Sequence, residues 1–149
     1  MVIVQEATFD TGTEIKHLTD RNTQIGAVVS FTGLVRDFND GSAIQSLTLE
    51  HYPGMTEKEL EKIETQALER WDLTESLIIH RYGKMDLGDP IVLVITASAH
   101  RKDAFEAAAF LMDWLKTKAP FWKLEENASG NQNWVSERSS DIDAAEEWE

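Results

Sequence analysis

Ile91-Val92-Leu93-Val94-Ile95-Thr96, set between the turn Leu87-Gly88-Asp89-Pro90 and a long helical pattern from about Arg101 to Lys118, is the most strand-like run in the chain. The helix behind it is expected to turn Phe105, Ala108, Leu111, Met112 and Leu115 inward, and Pro120 stops it. Upstream, Leu77 to Tyr82 reads as a strand ended by Gly83. Before that, Pro53-Gly54 closes one strand, and Thr56 with Glu59 forms a capping-box pattern. The helix it opens, Thr56 to Trp71, carries Leu60, Ile63, Ala67 and Trp71 on one face and packs on a sheet.

Toward the N-terminus, Gly26 to Val35 and Ile44 to Tyr52 read as strands separated by the turn residues Asp37 to Ser42, which predicts a hairpin with a mobile loop. Val2-Ile3-Val4 is a short first strand, and Glu14 to Arg21 is a polar helical stretch. Toward the C-terminus, Phe121 to Leu124 and Trp134 to Ser136 are closing strands around the loop Asn127 to Asn131. Asp141 to Glu149 is either a short helix or a loose acidic tail. Strands and hairpins mixed with two long helices, without repeats or low-complexity linkers, predict an α+β fold rather than a doubly wound sheet.

At 149 residues the chain is expected to form one domain over 1–149, large enough for a real core. Its net charge of −13 argues against a general nucleic-acid or anionic-membrane binder. With no cysteine there is no disulfide, thiolate metal site, cysteine nucleophile or persulfide on this chain. The four histidines (His17, His51, His80, His100) lack metal-ligand spacing, so no metal is expected. His51 and His80 read as core or edge residues. No apolar run approaches the ~20 residues of a membrane span and no signal-peptide pattern opens the chain, so the expected location is the cytoplasm.

In so acidic a chain the clustered cations carry the functional information. His100-Arg101-Lys102 sits at a helix N-terminus, where the dipole disfavours cations. Either an anion is held there by the free amides with His100 and Arg101, or Asp103 and solvent offset the charge. Lys116 and Lys123 bracket the stiff corner Ala119-Pro120-Phe121-Trp122. Lys116 complements the helix dipole on one reading, and on the other is a working amine whose pKa is depressed by burial or by cations such as Lys123 or Arg101. Arg36, after an apolar strand, and Arg138, after Trp134-Val135, are either anion clamps or surface arginines. Glu125-Glu126 and Glu146-Glu147 read as solvated surface.

Five segments in order carry a resemblance. They are Phe31-Thr32-Gly33-Leu34-Val35-Arg36, Leu49-Glu50-His51-Tyr52-Pro53-Gly54-Met55, His80-Arg81-Tyr82-Gly83, Ser98-Ala99-His100-Arg101, and Lys116-Thr117-Lys118-Ala119-Pro120-Phe121-Trp122-Lys123. Together they resemble the catalytic, large subunit of molybdopterin synthase, from about Gly26 to Arg138. The resemblance implies an α/β-hammerhead fold with a mixed, largely antiparallel sheet and two main helices. It implies a homodimer whose protomers each bind a small ubiquitin-like sulfur carrier, a heterotetramer in all. The carrier's C-terminal thiocarboxylate would deliver sulfur to cyclic pyranopterin monophosphate, giving the molybdopterin dithiolene of molybdenum cofactor biosynthesis, with no cofactor on this chain. Lys116 matches the family's catalytic lysine and Lys123 its second functional lysine. Arg36, His100, Arg101 and Arg138 match its substrate-anion residues. Leu124 stands where relatives often carry a basic residue, and the acidic end differs from the basic tails of some relatives. The alternative is a non-catalytic adaptor that binds a ubiquitin-like tail. A phosphoesterase is disfavoured, since no metal cluster or nucleophile–base pair is apparent.

Overall fold

The structure, a computed structural model, describes residues 1–39, 42–135 and 139–149. Its elements are β1 (Val2–Gln5), α1 (Thr11–Thr19), β2 (Ala27–Leu34), β3 (Phe38–Asn39), β4 (Ser42–His51), α2 (Met55–Arg70), β5 (Leu73–Arg81), β6 (Gly83–Asp86), β7 (Pro90–Ser98), α3 (Arg101–Thr117), β8 (Phe121–Asn127), β9 (Gln132–Val135) and α4 (Ser139–Glu146). The α+β class is as expected, with two long helices, but the strands form two sheets.

The first sheet has the order β1-β5-β7-β2, and only the β1–β5 pairing is parallel. The run from Val92 to Ile95 is continuously apolar because β7 is covered on both faces. Val92 and Val94 pack with Ile78 under α2 and α3, while Leu93 and Ile95 pack with Leu77 and Ile79 toward Ile15 and Leu18 of α1. The second sheet runs β3-β4-β8-β9, with β6 also on β4, and closes around Val35, Leu47, Leu49 and Met85. No described helix is long and apolar enough to cross a membrane.

The expected hairpin between Gly26–Val35 and Ile44–Tyr52 does not form. β2 pairs with β7 (Phe31 opposite Val94), and β4 pairs with β8 (Thr48 opposite Leu124), so Val35 and Arg36 carry the chain from one sheet to the other. The short β3 makes the local hairpin with β4 instead. A second crossing lies at Gly83, where φ of +88° suits glycine and the chain leaves β5 of the first sheet for β6 of the second. Arg81 fixes that corner from within, donating from Nε to the Glu6 carbonyl at 3.0 Å and from its guanidinium to the Pro90 carbonyl at 2.9 Å.

Two local expectations need correction, and one left open is decided. The cap of α2 is Gly54, with φ +85°, whose N–H donates to Glu57 Oε2 at 2.6 Å; the Thr56–Glu59 box is displaced because the Pro53-Gly54 turn starts the helix earlier. Thr56 instead accepts from the Tyr52 N–H at 2.9 Å and donates to the Pro120 carbonyl at 3.1 Å, tying α2 to the corner after α3. On α3, Phe105 is 61% exposed; the inner face is Ala104, Ala107, Ala108, Phe110, Leu111 and Leu115. Three inward alanines let α3 lie close to the sheet. The C-terminal segment resolves as a helix, α4, docked by buried Ala145 and by Trp148, whose Nε1 donates to Asp113 at 2.6 Å.

The junction of β2 with β7 depends on one glycine. Gly26 donates its N–H to the Ser98 carbonyl at 3.0 Å, and a Cβ there would lie 2.2 Å from the Ala99 carbonyl oxygen. Gly26→Ala is therefore expected to destabilise the chain by about 1–3 kcal/mol through forced backbone displacement. Urea unfolding checks this, and an unchanged midpoint would contradict the close approach.

Candidate active site between the two sheets

The two sheets and the end of α3 enclose a cavity of about 410 Å³. Arg36, where the chain crosses between sheets, lies on its wall. Lys116 reaches it from the last turn of α3, and Lys123 from β8, joined to α3 by the Ala119-Pro120 corner. Phe31, Leu34, Met112, Leu115 and Phe121 supply apolar wall, while Glu125 and Asp141 bring carboxylates. A pocket that sets convergent cations against apolar walls suits an anionic, partly apolar ligand.

The two lysines meet. Lys123 is pushed down to about 8, first by burial, then by the charge of Lys116 and hydrogen-bond contact with it; Asp141 and Glu125 oppose the shift. The bracketing lysines of the sequence thus hold adjacent amines at the pocket, and burial beside Lys116 brings Lys123 toward neutral pH. Lys118, two residues after Lys116, does a different job. Its ammonium lies 3.8 Å from the Trp114 ring centroid and pairs with the Glu149 carboxylate.

His100 and Arg101 are not in this cavity. They stand exposed at the opposite end of α3, fifteen residues before Lys116 in the case of Arg101, which is roughly 22 Å along the helix axis. The Asp103 carboxylate in the same turn accepts the Asp72 N–H at 3.2 Å, and none of His100, Arg101 and Lys102 forms an ion pair among the described residues. Ser98 orders this end instead, donating its hydroxyl to the His100 carbonyl and accepting the His100 N–H at 3.2 Å. Arg138 lies outside the described residues.

Three pocket residues had no functional reading in the sequence. Glu125 read as solvated surface beside Glu126, yet the pair divides: Glu125 lines the cavity two residues after Lys123, while Glu126 accepts from the Ser46 hydroxyl at 3.4 Å. The i, i+2 spacing from Lys123 within a strand is the signal that could have found it. Asp141 is brought in by the docking of α4, which no local pattern encodes. His80, read as a core or edge residue, is indeed buried, but it also faces the cavity, its ring stacked on Phe121 at 3.7 Å.

The family model for the MoaE protein matches residues 4–118. A molybdopterin synthase catalytic subunit from Pseudomonas aeruginosa is 55% identical over 146 residues, covering 98% of this chain and 97% of the relative. Among solved structures, the molybdopterin biosynthesis MoaE protein from Burkholderia ambifaria MC40-6 aligns with a TM-score of 0.83 and 44% identity, covering 99% of this chain and 97% of that one. Molybdopterin synthase from Staphylococcus aureus aligns with a TM-score of 0.82 at 32% identity over 90% of this chain and 96% of its own.

Proposed function

The chain belongs to the MoaE protein family, and from that membership we propose that its inter-sheet pocket is where molybdopterin synthase chemistry takes place, a sulfur transfer. The sulfur comes from the C-terminal thiocarboxylate of a small ubiquitin-like carrier and passes to cyclic pyranopterin monophosphate in the cytoplasm, with no cofactor on this chain. The observation that carries the proposal is the contact of Lys116 and Lys123 in one cavity with Arg36.

The amines fit the chemistry. A thiocarboxylate sulfur is already anionic and needs no base to make it a nucleophile. What needs handling is the proton balance on the pterin side chain and the negative charge that develops as sulfur attacks. Lys116, on the solvent side, serves as cation for that charge, and Lys123, more deeply set, serves as the amine that accepts a proton. Arg36 clamps the phosphate. Apolar wall from Phe31, Leu34 and Phe121 lowers the local dielectric and strengthens each of these interactions.

A single chain does not bring His100 and Arg101 to the same anion as Lys116. The proposed assembly is therefore a homodimer in which a second copy offers its α3 N-terminus, with one carrier on each protomer. Phe31 and Leu34, exposed on the edge strand β2 at the pocket rim, give such pairing an apolar surface.

The pH profile tests the division of labour. Lys123 is cationic below about 8 and an amine above it, so sulfur transfer should rise with pH through an inflection near that value. Lys123→Ala should remove the inflection as well as lowering the rate. If the variant keeps the wild-type profile, Lys123 only binds substrate.

A further inference from the structure

His80 has no part in the chemistry above, yet it is one of the most constrained groups at the pocket. It stands two residues after Ile78 on β5, on the face covered by α2 and α3, and its exposure is 7%. The ring lies against Phe121 with an interplanar angle of 15°, and Nδ1 is 2.9 Å from the Arg81 carbonyl oxygen. A carbonyl only accepts, so Nδ1 carries the proton and the lone pair falls on Nε2. Arg81 is itself tied to the Glu6 and Pro90 carbonyls, so the group that sets the tautomer is held in turn.

The ring is also kept neutral. Burial pushes its imidazole down to about 4, against the favourable Arg81 hydrogen bond, and the charges of Lys123, Lys116 and His51 push the same way. The charged and titratable groups around it are Lys116 from α3, Lys123 and Glu125 from β8, His51 from β4, Arg36 from the sheet crossing and Asp141 from α4. Among these, His80 is the buried neutral acceptor. A carboxylate in its place would hold the amines protonated, and an imidazolium would repel them.

We propose that His80 is a positioning residue for the lysine pair, its Nε2 lone pair accepting a hydrogen bond from the Lys123 ammonium in the working pocket and so fixing Lys123 as the amine that holds the proton. The consequence for catalysis rests on the sulfur-transfer reading, but the hydrogen bond can be measured without turnover.

The test is an NMR titration of the chain carrying 13Cε-labelled lysine, with the Lys123 signal assigned by its loss in Lys123→Ala. His80→Phe keeps the stack on Phe121 and removes the acceptor, so the Lys123 midpoint should fall by about one pH unit. His80→Gln offers an amide oxygen and should bring the midpoint back toward the wild-type value. In the reconstituted reaction His80→Phe should lower kcat more than it raises KM, with partial recovery in His80→Gln. An unchanged Lys123 midpoint in folded His80→Phe, or an equal fall in both variants, overturns the proposal. Long-range 1H–15N spectra of the unaltered chain give an arm that needs no variant: a ring proton on Nδ1 is expected, and one on Nε2 overturns it. Lysine shifts as expected in a chain that transfers no sulfur would remove the functional reading and leave the role of His80 standing.

Discussion

Lys116→Ala is expected to lower sulfur transfer by about 10²–10³-fold, the range for losing one group that stabilises developing charge, while the fold and carrier binding survive. The side chain is exposed, so its removal leaves no buried cavity. The helix end keeps its own cation, because Lys118 lies over Trp114 and pairs with Glu149. Lys118→Ala is the matched control: it removes a lysine two positions away, outside the cavity, and should leave turnover nearly unchanged. Circular dichroism and carrier titration separate lost chemistry from lost structure. Full activity of Lys116→Ala with thiocarboxylated carrier would sink the assignment.

Phe110→Ala carries the largest expected effect on stability, about 3–5 kcal/mol. Phe110 is fully buried on α3, with Trp71, Trp148 and Trp114 at centroid distances of 5.2, 5.7 and 6.1 Å and the Arg70 guanidinium 4.9 Å from its ring centroid. Removing it empties the centre of an aromatic cluster, and the loss reaches the inter-sheet pocket. Trp148 anchors the segment after α4, and α4 carries Asp141 into the cavity beside Lys123. A loosened anchor withdraws a carboxylate that holds Lys123 protonated, so the variant should unfold at lower urea and shift the rate inflection below about 8. A stability loss under about 1 kcal/mol would mean that the cluster does not organise this face.

How far the site could be read from the sequence follows from which parts of it are local. The strand from Ile91 to Thr96, the helix after His100 and the stop at Pro120 are written in periodicity and turn chemistry and formed as expected; α2 formed too, but capped at Gly54 and not by the Thr56–Glu59 pattern. Lys116, Lys123 and Arg36 could be singled out because cations are scarce in this chain. Their meeting could not, since it depends on Val35-Arg36 and Gly83 passing the chain from one sheet to the other. The β2–β4 hairpin failed for the same reason: the turn residues between the two runs are right for a hairpin, but β7 takes β2 as its neighbour. Phe105 fell on the wrong face because a helix periodicity with several alanines leaves the inner stripe ambiguous by one position. His80 was legible as buried, but a buried histidine in a strand gives no sign that its free nitrogen serves a pocket. Asp141 came from tail docking through Trp148, which sequence patterns left open.

The central claim is that this pocket performs sulfur transfer rather than only holding a carrier's tail. Single-turnover mixing of the chain with thiocarboxylated carrier and cyclic pyranopterin monophosphate tests it most directly, following both carboxylate-terminated carrier and dithiolene product by mass spectrometry. Two carriers should lose sulfur for each dithiolene formed, and Lys116→Ala should bind carrier but release its sulfur at least about 10²-fold more slowly. Tight carrier binding by the wild-type chain with its thiocarboxylate left intact would contradict it and make the protein an adaptor.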